Sequence, residues 1–423
     1  MAITPTPKAI VAVFSAVLLY VLGFLGAYPA ITLPVSLLLV VLVTAEYAII
    51  NKYESLLSRV SVRRDVVERA APENTPIRIL TRVCNKSSEN IDNLVVLEDT
   101  PPRTRRVPAA TGFLVNVGPG ECKTYTYGLV GAPGLSTARR IVLEKSSPLA
   151  LFSAARSLES VIVVRYYPVA ITARTRMYSG ETLGLEEIYS KRIKGAGMEF
   201  YSIREYQPGD DPRRIVWSAS ARLQRLMVRE DLAELRLRLY IFLDLSRPMW
   251  IGEPGATPGD NVLRVASSLA MGVKQSAGIL GYTFLYGEVW FSRSPAHASQ
   301  TFFELYNRAS MTDPYLSAPR ANFRDALREA SAYSENIPLV ILTGPEISLH
   351  VDDLVDVARK RRAPLIIVYL YPDMHREVFL EEYRYTASKL RDYPMVHVLR
   401  ASSFTEALGA VNMVAPRLVR YAA

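Results

Sequence analysis

Two apolar runs fill about the first fifty residues, and they rule out a fold that is water-soluble throughout. Ala9–Ala27 is an uncharged run of membrane-spanning length, Tyr28-Pro29 breaks it, and Ala30–Ile50 is a second run interrupted only by Pro34 and by Glu46 near its end. Backbone amides in hydrocarbon must bond within their own segment, so the pattern predicts a transmembrane helical hairpin over residues 1–55. A cleaved signal peptide would account for the first run, but the second follows at once and would still anchor the chain. Lys8 precedes the first span, Lys52, Arg59, Arg63, Arg64 and Arg69 follow the second, and the connecting loop has no positive charge. Both ends, and the body that follows, are therefore expected on the cytoplasmic side of a cell membrane crossed twice. Glu46, close to the interface, is expected to snorkel to the headgroups.

Beyond the hairpin, residues 56–170 read as short strands. Ile77, Ile79 and Val83 alternate with Arg78 and Arg82, and Tyr125, Tyr127 and Leu129 alternate with Thr124 and Thr126. Turn residues separate these runs at Thr100-Pro101-Pro102 and Gly118-Pro119-Gly120, so a small antiparallel β-sandwich of immunoglobulin-like type is expected. Cys84 and Cys122 cannot make a zinc site by themselves; they are expected as reduced core residues, with a single disulfide as the alternative.

The region 171–232 holds the densest signal, GMEFYSIREYQPGDDPRRIVWSASARLQRLMVRE from Gly197 to Glu230. Pro208-Gly209-Asp210 is turn chemistry, Asp211 can cap a helix, and Pro212 suits its first position, so a helix is expected from Pro212 to about Ala221. Arg204, Arg213, Arg214, Arg222, Arg225 and Arg229 interleave with Glu199, Glu205, Asp210, Asp211, Glu230 and Asp231. That alternation suits an ion-paired clasp with Trp217 buried in it, or else a partner-binding epitope, and it excludes a polyanion groove because acids at this density repel phosphate. The net charge of +9 is spread thinly, with no basic run longer than Arg359–Arg362, so no nucleic-acid partner is expected. The stretch Glu199–Arg229, with Tyr206, Pro208, Gly209 and Trp217 among its marks, closely resembles the signature of the domain of unknown function 58 family. That resemblance implies a membrane-anchored protein with a von Willebrand factor A-like C-terminal half, commonly accompanied by a MoxR-type AAA+ ATPase. Ser147-Pro148-Leu149-Ala150-Leu151-Phe152 is similar to an Asp-Pro-Leu-Gly-Leu-Phe-like run of the family and departs from it at Ser147 and Ala150.

From 233 to 423 strand-like runs at Leu235–Leu243, Gly281–Tyr286, Leu339–Thr343, Leu365–Tyr371 and Met395–Leu399 alternate with helical stretches. Such alternation predicts a mostly parallel, doubly wound sheet whose strand C-terminal ends collect the functional loops. At the first of those ends lies Asp244-Leu245-Ser246-Arg247-Pro248-Met249, which resembles the Asp-x-Ser-x-Ser metal loop of von Willebrand A domains. A carboxylate and hydroxyls on one loop are the hard oxygens a Mg2+ ion prefers. The set is degenerate, because Pro248, Ala321 and Gly344 stand where the resemblance implies a serine, a threonine and an aspartate. Asp244 and Ser246 survive, with Glu346, Asp352, Asp353 and His350 as replacement ligands; otherwise Asp244 caps its loop and pairs with Arg247 or a neighbour. No cofactor is expected. The chain has no phosphate loop, Gly-x-Ser-x-Gly elbow, His-Glu-x-x-His pair or dinucleotide fingerprint, and His297, His350, His375 and His397 are scattered. The reading is a non-enzymatic adaptor acting with a MoxR-type ATPase in protein remodelling or complex maturation. An externally exposed A-type receptor or structural surface protein with metal-dependent binding is the alternative.

Overall fold

A computed structural model describes residues 2–26, 28–110, 112–171, 194–195, 199–232, 237–316, 318–374 and 376–419. The chain divides into two units, Met1–Tyr166 and Tyr167–Ala423.

The first unit opens on β1 (Ala2–Pro5), followed by α1 (Pro7–Phe24) and α2 (Pro29–Leu57). Pro7 and Pro29 sit in first turns, where a missing N–H costs nothing. The helices meet closely near their turn, since a Cβ on Gly23 would lie 2.5 Å from Thr32 Oγ1. Both are long and apolar enough to cross a membrane, and Ile10, Phe14, Val17, Leu37 and Leu38 face outward.

Strands β2 (Val60–Val66), β3 (Ala70–Pro72), β4 (Ile77–Asn85), β5 (Ile91–Glu98), β6 (Thr104–Val107), β7 (Gly112–Val117), β8 (Cys122–Gly131), β9 (Gly134–Ser146) and β10 (Phe152–Tyr167) follow. They form two antiparallel sheets, ordered β2-β4-β8-β6 and β1-β10-β9-β5-β7, with β3 also on β10. The period-2 alternation in β4 turns Ile77, Ile79 and Val83 inward, where they meet Leu94, Ile141, Leu143, Ile162 and Val164 of the facing sheet. Ile50, Leu56 and Leu57 carry the end of α2 into the same core.

Both ends of the helical hairpin are built into the sandwich. β1 pairs with β10, placing Ile3 opposite Ala154, and Thr6 Oγ1 donates to the carbonyls of Ala150 (2.8 Å) and Leu151 (3.0 Å). At the other end Arg156 Nη1 donates to the carbonyls of Leu57 (2.6 Å) and Ser58 (2.9 Å), which a helix C-terminus leaves open, and to that of Val60 (3.0 Å) at the start of β2.

Two expectations for this unit need correction. Glu46 does not reach for headgroups: it is 5% exposed and its Oε2 accepts the Leu149 N–H at 3.1 Å. The sandwich turn beside α2 offers a donor, and a buried carboxylate takes it. Cys84 and Cys122 are not reduced core residues. They lie opposite each other on β4 and β8, form a disulfide, and leave Cys122 exposed and Cys84 half-buried.

The second unit begins with a small antiparallel sheet, β11 (Lys194–Gly195), β12 (Glu199–Glu205) and β13 (Met227–Leu232), ordered β11-β13-β12. Of the region 171–232, residues 172–193 and 196–198 lie outside the described residues. The larger sheet comprises β14 (Arg238–Asp244), β15 (Ile279–Tyr286), β16 (Val289–His297), β17 (Leu339–Thr343), β18 (Leu365–Leu370) and β19 (Val396–Ala401). Its order is β16-β15-β14-β17-β18-β19, with every pairing parallel except the β15–β16 hairpin. That edge strand was not expected, because its half-exposed residues and Pro295 mask the alternation. The expected first strand included Leu235, which lies outside the described residues.

Alternate residues of β14 serve two cores. Leu239, Ile241 and Leu243 pack under α4 (Pro258–Gln275), α5 (Ala298–Ser310) and α9 (Phe404–Val419), whereas Tyr240 and Phe242 pack under α6 (Phe323–Tyr333), α7 (Val351–Lys360) and α8 (Arg376–Leu390); α3 is the short Trp217–Leu223 helix. The middle of a strand buried on both faces is apolar at successive positions, which is why β14, β17 and β18 read as apolar runs, with polar Asp244 and Thr343 at the carboxyl ends of the first two. Chain order reverses between β14 and β17, and a crevice at the carboxyl ends of two such strands is where open α/β sheets present polar groups.

Candidate functional site

The signature and the buried cluster at the carboxyl ends of β14 and β17 are separate constellations. In the signature, Gly209 adopts φ 106°, which permits the turn after Pro208. Asp210 locks that turn, accepting the Gln207 N–H at 2.7 Å and both ends of the Arg204 guanidinium at 2.7 and 2.6 Å. The Arg204 hydrogen bonds, and after them the Gln207 amide, pull the Asp210 carboxyl down to about 2. Tyr206 N–H closes the loop onto the Leu226 carbonyl at 2.8 Å.

Asp211 caps as expected, accepting the Arg213 N–H at 3.0 Å, but the helix it starts is only a 3-10 turn, Pro212–Arg214. Ile215 then bridges to Val228, and the Val216 N–H bonds to the Met227 carbonyl, so the chain is extended where the sequence suggests helix. Helix α3 follows, and it is turned inside out. Its buried residue is Ser220, whose hydroxyl donates to Val216 O and accepts the Met227 N–H, both at 2.9 Å. Trp217 is 69% exposed, Leu223 56% and, just beyond, Leu226 47%.

The expectation of a buried tryptophan is therefore wrong, and of the expected ion pairs the described residues show two. Arg204–Asp210 is a firm bidentate pair, but Arg225–Glu205 at 3.7 Å is exposed on both sides and contributes little. Among the described residues Arg213, Arg214 and Arg222 have no acidic partner; the side chains of Glu199, Glu230 and Asp231 lie outside those residues. A two-turn helix pinned through Ser220 has no inward position left for an indole.

The second constellation is buried. Asp244 ends β14 at 0% exposure, and its two oxygens are filled. Oδ1 accepts the Ser246 N–H (3.1 Å) and Ser246 Oγ (2.5 Å), while Oδ2 accepts Thr343 Oγ1 (2.7 Å) and Arg320 Nε (2.8 Å). Arg320 Nη2 also lies 2.6 Å from Oδ2, outside hydrogen-bonding angles, so that approach is a charge contact. Nη1 donates to the Pro345 carbonyl at 2.6 Å, and the Arg247 N–H bonds to the Ala318 carbonyl at 2.8 Å, stitching three loops together.

Asp244 thus caps its loop and pairs with a cation, as the plainer reading held, but the cation is Arg320 and not the adjacent Arg247. Sequence reasoning stopped one residue short, at Ala321. The available signal was an arginine in a loop at the strand ends beside an acid that had lost its metal ligands.

A metal does not fit here. The carboxylate's roughly four acceptor sites already hold four donors. Pro248 and Ala321 bring no ligating side chain, and Gly344 cannot be an aspartate, since even a Cβ there would lie 2.1 Å from the Leu370 carbonyl oxygen. The proposed substitutes do not converge either: Glu346 and Asp352 are exposed, and Asp353 is engaged by Arg324 and His350. Among the described residues no three His, Cys, Asp or Glu side chains gather as a ligand set.

Comparison with known proteins covers both constellations. Residues 202–377, from β12 into α8, match the family described as "protein of unknown function DUF58". Uncharacterized proteins of Mycobacterium tuberculosis and Mycobacterium bovis are 34% identical over 99 residues, 23% of this chain and 28% of theirs. The chain thus spans little more than a quarter of the length of the curated relatives it matches. Among solved structures, a CARDB domain from Pyrococcus furiosus is 14% identical, with 24% of this chain and 94% of that one covered and a TM-score of 0.16. An exo-β-N-acetylglucosaminidase from Vibrio harveyi is 8% identical, with 77% and 80% covered and a TM-score of 0.19. Likenesses so low carry no argument about fold or function. What stands is the match of residues 202–377, across the signature and the Asp244–Arg320 cluster, to the DUF58 family model.

Proposed function

We propose that this chain is a non-enzymatic, membrane-anchored interaction adaptor whose second unit is von Willebrand A-like. The observation that carries the reading is the inverted α3, which holds Trp217, Leu223 and Leu226 in water near Arg213, Arg214 and Arg222, which have no acidic partner among the described residues. Tryptophan and arginine are the residue types most enriched among interface anchors, and a tryptophan held in water beside leucines leaves apolar surface to cover. The occupant is a protein with an apolar, acid-rimmed face, and the family resemblance names a MoxR-type AAA+ ATPase as that partner. ATP hydrolysis would belong to the partner. The buried Asp244 supports a structural role for its cluster, because a carboxylate with four donors and no exposure has no lone pair to offer a substrate.

The body is proposed to face the cytoplasm, on the strength of Lys52, Arg59, Arg63 and Arg64 after the second helix. The Cys84–Cys122 disulfide favours the outside-facing receptor alternative, since such bonds are uncommon in reducing compartments. Strand register alone brings those cysteines to a Cα separation of 4.0 Å, however, so their proximity follows from the sheet and the charge pattern carries the topology. Two measurements test the proposal. The detergent-solubilised full chain should capture a purified MoxR-type ATPase, and Arg213→Glu with Arg222→Glu should abolish capture; capture unchanged by the reversal refutes the docking face. Ala109→Cys, at an exposed loop in a background with Cys84 and Cys122 replaced by serine, should resist a membrane-impermeant thiol reagent in intact cells and react in inverted vesicles.

A further inference from the structure

We infer that Arg320 is a tethered substitute for a divalent cation. The carboxyl ends of β14 and β17 and their loops bring together one carboxylate (Asp244) and two hydroxyls (Ser246 and Thr343), all at 0% exposure. These are hard oxygens of the kind that Mg2+ or Mn2+ takes. A buried carboxylate without a compensating positive charge is strongly unfavourable, so a cation is required at this spot whatever its source. The chain supplies it from within. Arg320 enters from the loop before α6, is 6% exposed, sets Nε and Nη2 against Asp244 Oδ2, and fixes its own orientation through Nη1 on the Pro345 carbonyl.

An ion exchanges with solvent, responds to chelators and can accept a ligand carboxylate as a further coordinating group. A guanidinium bound to the backbone does none of these, because its donors face Asp244 and Pro345 and its charge cannot leave. The positive charge at the carboxyl ends of β14 and β17 is accordingly part of the chain itself, and recognition by this unit is independent of divalent ions. The steric bar at Gly344 points the same way, since the position has no room for the carboxylate that would complete a metal set. This inference stands apart from the identity of any docking partner, because its readout is the ion alone.

The test is thermal unfolding of the detergent-solubilised full chain in EDTA, Mg2+ and Mn2+. Wild type is expected to melt at one temperature in all three. Arg320→Ala should melt lower in EDTA and recover saturably with Mn2+, as binding to the native state alone requires, and the recovery should vanish when Asp244→Asn is added. Arg320→Lys keeps a cation in place and should stay indifferent to Mn2+. A saturable Mn2+-dependent rise in wild type or Arg320→Lys overturns the inference, and so does an Arg320→Ala protein that gains nothing from Mn2+.

Discussion

Trp217→Ala separates a docking residue from a structural one by magnitude. A buried tryptophan truncated to alanine costs about 3–5 kcal/mol, counting the cavity left behind. Trp217 is 69% exposed, so it hides only about a third of its surface and its removal leaves no enclosed cavity. Full burial of an aromatic side chain covers about 150–250 Å2; a third of that, at about 25 cal/mol per Å2, gives roughly 1–2 kcal/mol as an upper estimate. Unfolding of the solubilised variant should therefore shift by about 1 kcal/mol, near the low end of that range for a realistically compact unfolded chain. Binding should respond far more. An interfacial tryptophan of the anchoring kind contributes at least about 2 kcal/mol, or roughly 30-fold in Kd. Titration of the partner against wild type and variant, alongside denaturant unfolding of each, measures both quantities on the same preparation. A loss of 3 kcal/mol or more in stability, with partner affinity intact, would refute the reasoning and restore the buried clasp.

Three further outcomes follow from local geometry. Ala150 is held at φ 55°, a conformation that costs an L-residue about 1–2 kcal/mol, so Ala150→Gly should stabilise the first unit by about 0.5–1 kcal/mol after the glycine's extra unfolded-state entropy, read as a higher melting temperature. Glu46→Ala removes the acceptor of the Leu149 N–H and should cost about 1–3 kcal/mol in denaturant unfolding, with Glu46→Gln, which keeps an acceptor oxygen, losing less. The Asp210 carboxyl is depressed to about 2 by Arg204 and Gln207, so the stability it lends the signature turn is present above the ordinary aspartate value and lost only as pH falls toward 2. Partner binding through this face should be flat from about pH 5 to 8, and an inflection in that window that disappears in Asp210→Asn would contradict the assignment.

Where a segment's own pattern sets its state, the sequence by itself was sufficient. Two long apolar runs predict helices of membrane-spanning length, alternation in Ile77–Val83 dictates which face is inward, and doubly buried strands such as Leu339–Thr343 are apolar up to their last residue. The caps were legible for the same reason, since Asp211-Pro212 satisfies its own neighbour's backbone. Pairings between distant segments were not legible. Arg320 is 76 residues from Asp244, and nothing local distinguishes it from a solvated arginine; only the reversal of chain order between β14 and β17 brings that loop over the acid. Glu46 and Leu149 are 103 residues apart, and their bond depends on the sandwich folding back against α2. Trp217 shows the same limit from the other side. Its composition suggests burial, and what decides its exposure is Ser220, whose hydrogen bonds to its own N-cap carbonyl at Val216 and to the Met227 N–H of β13 consume the inward face of a helix too short to have another.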